Sequence, residues 1–261
     1  MPIHLRQVCL VAEKLEPCLR DIEAVFQAPI CHRDPDVANF GLDNALVALG
    51  SQFLEVVAPV RSGTAAGRFL DRKGGDGGYM VICQVPTLEE QADVRRRAEA
   101  NQVRVAFESD RGSWNIMQLH PRDMGAAFLE VDWDEQADMQ GNWQPAGGLR
   151  WADSPPGSGI SAITGLELSS GDPQGLAGHW ARVTGLPVDS HHGLPAIHLA
   201  NAVLRFSYED TVSEQGLTGI DLKVPDPTGI LRRAAEMALP VGPDHLRIGG
   251  VTFSCQSADP E

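Results

Sequence analysis

The tetrapeptide Phe53-Leu54-Glu55-Val56 returns as Phe128-Leu129-Glu130-Val131, 75 residues further along the chain. A repeat at fixed spacing is the mark of duplicated supersecondary units, and here the surroundings repeat as well. Gln7-Val8-Cys9-Leu10-Val11-Ala12 lies 73 residues before Met80-Val81-Ile82-Cys83-Gln84-Val85, and both β-branched-rich runs read as strands. Each runs into a helix. Leu15, Leu19, Ile22 and Phe26 fall at helical spacing in the first copy, as Leu88, Val94 and Ala98 do in the second. Pro17 sits in the first turn, where its missing N–H costs nothing. Strand-like runs at 37–41, 45–49 and 52–57 follow the first helix, with Leu42-Asp43-Asn44 and Gly50-Ser51 as turns. Runs at 103–107, 115–119 and 126–131 follow the second, so each copy is βαβββ.

The second half repeats the plan less faithfully. A strand at 163–169, a helix at about 173–183 and strands at 196–199 and 202–208 make a third copy. The fourth has a strand at 217–224, a helix at 227–239 and a closing hairpin at 245–248 and 250–255, short of one strand. Leu204-Arg205-Phe206-Ser207 and Val251-Thr252-Phe253-Ser254 take the place of the two FLEV segments. The stretch from Gly141 to Gly159, rich in Gly, Pro and Trp, reads as a linker. The expected architecture is α+β: tandem modules paired into two cupped mixed sheets with helices outside, over residues 1–145 and 155–261.

With 261 residues, 43% hydrophobic and 21% charged, the composition is that of a globular protein. No stretch approaches the ~18 apolar residues of a membrane span. Met1-Pro2-Ile3-His4 lacks the layout of a signal peptide, so the expected compartment is the cytoplasm. Cys9, Cys18, Cys31, Cys83 and Cys255 include no C-x-x-C pair and read as reduced, mostly buried thiols. A net charge of −14 repels phosphates, which argues against nucleic acid or anionic membrane as partners. A small-molecule substrate or ligand is expected, and a homodimer stays open.

Period-2 alternation puts Phe53, Glu55 and Val57 on one strand face. A carboxylate among apolar neighbours must be paired, metal-bound or shifted to a raised pKa, the last of which suits a general base. The alternative is an edge-strand Glu facing solvent. His120, before Pro121 at a strand end, either reaches the cup as acid/base or nitrogen ligand, or caps the hairpin as a turn residue. His191, His192 and His198 read as solvated histidines in a loop between strands. Gly74-Gly75-Asp76-Gly77-Gly78 fails as a phosphate loop, since no Gly-Lys-Ser/Thr follows and a strand comes next; it reads as a hinge. Arg61, Arg68, Arg72 and Lys73 read as a solvated loop face, or as a rim that holds an anionic tail. Tyr79, Trp114, Trp133 and Trp143 read as packing residues.

Four βαβββ modules, with a Glu in the last strand of the first two, resemble the vicinal oxygen chelate superfamily, the group of glyoxalases, extradiol dioxygenases and bleomycin-resistance proteins. The segment from Leu119-His120-Pro121-Arg122-Asp123 to Phe128-Leu129-Glu130 is similar to the corresponding end of methylmalonyl-CoA epimerase-type members. The resemblance implies a cup holding a divalent metal bound from the first and last strands of each module. Carried over residue by residue, the last-strand carboxylates are Glu55 and Glu130. The first-strand histidine positions hold Gln7 and Met80. The implied metal set is therefore Gln7, Glu55 and Glu130, an all-oxygen group suited to Mg²⁺ or Mn²⁺, with Glu55, Glu130 and His120 as the catalytic candidates. In the second half the last-strand positions hold Arg205 and Thr252, and the first-strand positions fall near Thr164-Gly165 and Thr218-Gly219. That cup reads as having no carboxylate pair, and as scaffold or a different pocket.

Two functions follow from the resemblance. One is a glyoxalase-like enzyme acting on a small carbonyl or vicinal-oxygen compound by metal-assisted proton transfer, as an epimerase, isomerase or lyase. The other is a metal-free binding protein of the bleomycin-resistance type. A metal-free acid/base enzyme using Glu55 and His120 is a third.

Overall fold

A computed structural model of the chain describes residues 2–153 and 159–257. Module one is β1 (His4–Val11), α1 (Leu15–Phe26), β2 (Ile30–His32), β3 (Leu42–Leu49) and β4 (Gln52–Pro59). The connecting helix α2 (Ala65–Lys73) leads to module two: β5 (Gly77–Val85), α3 (Leu88–Ala100), β6 (Val105–Asp110), β7 (Trp114–Leu119), the one-turn α4 (Pro121–Met124) and β8 (Phe128–Asp134). Module three is β9 (Ala162–Ser170), α5 (Pro173–Thr184), β10 (Asp189–His191), β11 (Leu194–His198) and β12 (Val203–Tyr208). Module four is β13 (Gly216–Val224), α6 (Pro227–Glu236), β14 (His245–Ile248) and β15 (Val251–Ser257). The fold is α+β, with a mixed sheet of 15 strands among the described residues and helices outside it.

Local chemistry sets the helix starts. Thr87 and Glu90 form a capping box on α3. Asp172 and Asp226 each cap a helix whose first residue is proline, Pro173 and Pro227. Within a module the first strand lies parallel to the last: β1 on β4 and β5 on β8, then β9 on β12 and β13 on β15. Modules pair through antiparallel first strands, β1 with β5 and β9 with β13. The N-terminal array therefore runs β2-β3-β4-β1-β5-β8-β7-β6, and the C-terminal array runs β10-β11-β12-β9-β13-β15-β14.

Alternation sorts side chains between two cores. Val8, Leu10, Leu54, Val56, Val81, Leu129 and Val131 face the helices. Cys9, Val11, Phe53, Val57, Met80 and Ile82 face the concave side, where Trp143 joins them. The two arrays touch through the starts of their central strands, where Leu217 of β13 lies opposite Gly78 of β5. A Cβ on Gly78 would come within 2.3 Å of the Leu217 carbonyl oxygen. Gly78→Val is therefore expected to lower unfolding stability by about 1–3 kcal/mol or more, read by urea denaturation. An unchanged midpoint would show that the close approach is not needed.

Several local expectations are corrected. The run at 37–41 is not a strand: Pro35 lacks a ladder N–H, Asp34 accepts from the Asp36 N–H, and Pro35–Phe40 forms a 3-10 turn. Strand β2 lies earlier, at Ile30–His32, and Leu42-Asp43-Asn44 is the start of β3 instead of a turn. The basic loop is mostly helix, because Arg68, Arg72 and Lys73 lie on α2, capped by Thr64. His191 ends β10, paired with Leu194 across a tight turn. Of the expected linker, 154–158 lie outside the described residues, and Trp143 is buried in the concave core.

Candidate functional site

The concave side of the N-terminal array encloses a cavity of about 610 Å³. Gln7 from β1, Glu55 from β4, Gln118 from β7, Glu130 from β8 and His120, the residue before α4, all line it. Its apolar walls include Val57, Tyr79, Met80, Ile82, Ile116 and Phe128. The 3-10 turn supplies Pro35, Val37 and Phe40 at the mouth. Two contacts join this turn to module two: Arg111 Nη2 to Asp36 Oδ2 at 2.7 Å, and the Phe40 ring edge-on to Phe107 at 5.0 Å.

Glu55 and Glu130 occupy matching places in the repeat and are 7% and 4% exposed. Glu55 is held by two amides. Its Oε2 accepts from Gln7 Nε2 at 2.8 Å, and its Oε1 accepts from Asn44 Nδ2 at 2.6 Å. Burial raises its pKa, opposed by hydrogen bonds from Asn44, Cys9 and Gln7. Glu130 Oε2 accepts from Gln118 Nε2 at 2.7 Å. Burial pushes its carboxyl up to about 7, opposed by Gln118 and Asp132 and reinforced by the charge of Glu55. Among the described residues no Lys, Arg or His forms an ion pair with either carboxyl. Asp132, two residues along the same strand face, is 2% exposed with neither oxygen in a close hydrogen bond. Burial, and then the charge of the neighbouring Glu130, raise its pKa well above the usual carboxylate range.

A carboxyl whose folded pKa is raised from 4.5 to about 7 contributes stability below 4.5 that is lost as pH rises through about 7. Glu130→Gln is expected to flatten that decline and to melt above the wild type at pH 8. A parallel decline in both proteins would contradict the assignment.

His120 is on the cavity wall, and its Nδ1 accepts from the Arg122 N–H at 3.2 Å, so it caps α4. Burial and Arg104 lower its pKa. Sequence reasoning missed three side chains that build the site: Asn44, Gln118 and Trp143. Alternation along β7 is a signal for Gln118, since Ile116 and Gln118 share the cavity face. Asn44 was hidden by its resemblance to a turn residue, and Trp143 by its place in the linker.

The donor set is a poor fit to a hard cation. Gln7 Oε1, the oxygen expected to ligate, accepts from the Trp143 indole N–H at 2.9 Å. Each oxygen of Glu55 already accepts one hydrogen bond from an amide, and Met80 offers only a thioether. Among the described residues no group of three or more His, Cys, Asp and Glu is placed to hold a metal ion.

The C-terminal concave face differs in chemistry. Carboxylates are present there, contrary to expectation, but on the first strands. Arg205 of β12 forms a two-armed ion pair with Asp221 of β13, Nη2 to Oδ1 being 3.0 Å, and lies 3.7 Å from Glu167 of β9. The pair crosses Gly165, where a Cβ would meet Asp221 Oδ2.

Paired βαβββ modules around a concave cavity define the vicinal oxygen chelate fold, and this chain has that fold. A hypothetical protein from Staphylococcus aureus superposes with a TM-score of 0.64 at 12% identity, over 98% of this chain and 100% of that one. A variant of 4-hydroxymandelate synthase from Streptomyces coelicolor gives 0.63 at 11% identity, over 92% of this chain and 76% of that one. Methylmalonyl-CoA epimerase from Mycobacterium tuberculosis gives 0.43 at 21% identity, over 50% of this chain and 87% of that one, too loose to bear on the site. At these identities the likeness is one of fold. No protein-family model and no curated protein matches the sequence.

Proposed function

We propose that the N-terminal cup is a metal-free acid–base centre that moves a proton at the carbon beside the carbonyl of a small, largely apolar substrate. The observation that carries this reading is the pair Glu55 and Glu130, presented from matching strands into one cavity, with no ion-pair partner for either among the described residues and with Arg111 and Arg150 elsewhere on the cavity wall. Buried carboxyls without an ion-pair partner repel an anionic head group, so the substrate part that lies beside Glu55 and Glu130 is neutral. Amide donors on both oxygens favour the charged form of Glu55 and leave two of its four lone-pair sites for a proton. Glu130, pushed up to about 7, supplies the acid.

In the proposed step Glu55 takes the proton and the C–H electron pair moves to the carbonyl oxygen. Glu130 then returns its own proton to the other face of the carbon, so an epimer forms and the two carboxyls exchange protonation states. His120, with Nδ1 committed to its cap, shapes the mouth and takes no proton. No nucleic acid or anionic membrane belongs in this scheme, given a charge of −14.

The test is deuterium wash-in from D₂O across neutral ketones, aldehydes and thioesters, followed by NMR. Saturable exchange at the carbon beside the carbonyl supports the reading. Saturable binding of such compounds without exchange would replace it by a small-molecule binding protein, the reading that the apolar walls favour.

A further inference from the structure

Glu55 is held by two primary amides, and an amide serves either as donor or as acceptor according to which way it is turned. In this cup neither is free to turn. Trp143 Nε1, a donor only, reaches Gln7 Oε1 at 2.9 Å, which leaves Gln7 Nε2 facing Glu55 at 2.8 Å. On the other side the backbone N–H of Asp34, also a donor only, reaches Asn44 Oδ1 at 2.9 Å and leaves Asn44 Nδ2 facing Glu55 at 2.6 Å. Turning either amide would set donor against donor and oxygen against carboxylate oxygen.

Trp143 is itself fixed. It is 1% exposed, and its loop is closed by Gly148 N–H to Trp143 O at 2.9 Å. The guanidinium of Arg6, the residue before Gln7, stacks 4.9 Å from the indole. Arg6 also donates to the carbonyls of Asp138, Gly141 and Asn142 at 2.6, 3.2 and 3.4 Å. A segment outside all four modules is thus tied to the strand that carries Gln7.

We propose that Trp143 is a positioning residue of the cup: through Gln7 it fixes Glu55 as a hydrogen-bond acceptor aimed into the cavity, and it turns the Gln7 oxygen away from any cation. The inference rests on the acid–base reading for its catalytic meaning, but its geometry is tested without turnover. Side-chain NMR of the wild-type protein should show slow exchange of the Trp143 indole proton and of the Gln7 amide, with a coupling across the hydrogen bond from Gln7 Nε2 to Glu55 Cδ. Trp143→Phe should speed exchange of the Gln7 amide by about tenfold, as expected for loss of one buried hydrogen bond, and leave Asn44 unchanged.

Trp151→Phe is the matched control. That indole donates to Gly141 O at 3.1 Å in the same region and its ring packs edge-on against Phe53, but it makes no hydrogen bond to Gln7 or Glu55, so the Gln7 amide should be unaffected. Equal acceleration in both variants would reduce Trp143 to loop packing and overturn the proposal. If Trp143→Phe does not fold, the wild-type spectrum decides alone, because a missing Gln7 to Glu55 coupling overturns it. With a substrate in hand, Trp143→Phe should lower kcat and leave KM nearly unchanged. A protected amide without any proton-transfer activity would retire the acid–base reading and leave the positioning intact.

Discussion

Replacing Glu130 by glutamine should slow deuterium wash-in by about 10²–10⁴-fold, the range that a positioned acid or base supplies. Glutamine keeps the shape and can still bond Gln118, so the loss isolates the proton. Glu55→Gln should fall in the same range for a different reason. The new amide cannot accept a proton, and its nitrogen would face the donor of Gln7 or of Asn44, both locked against turning. The pH profile separates the two residues. Activity that needs protonated Glu130 is lost as pH rises through about 7, and that alkaline limb should be absent from the residual rate of Glu130→Gln. Wild-type rates in either variant would remove both carboxyls from the chemistry.

The second large effect is on stability. Arg205→Met should lower unfolding stability by about 3–5 kcal/mol, because it leaves the buried carboxylate of Asp221, 5% exposed, without its partner. Wash-in by the folded fraction should stay near the wild-type rate, since Arg205 lies on the other array. Urea denaturation and a rate measured well below the transition read the two effects separately. Loss of activity in folded Arg205→Met would move the functional site to the C-terminal cup.

The fold was legible because strand alternation and the repeat of FLEV reinforce one another: Glu55 and Glu130 share a face with Phe53 and Phe128, whatever the loops do. Irregular segments were harder. Val37 and Phe40 suggest a strand, yet a proline and an aspartate cap decide the backbone, and the resulting turn became the cavity mouth. The charge balance of the second half was half visible. Arg205 stood out in its repeat position, but its partners are Glu167 on the adjacent β9 and Asp221 one strand further on β13, at different repeat positions, where only the pairing register brings them together.

The metal ligand set shows the same boundary. The family resemblance, carried over residue by residue, implied Gln7, Glu55 and Glu130 as an oxygen group, whereas the orientation of one amide, fixed by a tryptophan 136 residues away in sequence, decides what Gln7 offers the cavity. Long-range hydrogen bonds of this kind leave no periodic trace.

The most direct measurement is wash-in on a responding carbonyl compound before and after exhaustive chelation, with bound metal determined on the same samples. A metal-free acid–base cup predicts an unchanged rate in chelated protein, no stoichiometric cation, and no gain on adding Mg²⁺ or Mn²⁺. A rate abolished by chelation and restored by one equivalent of either ion would contradict the account.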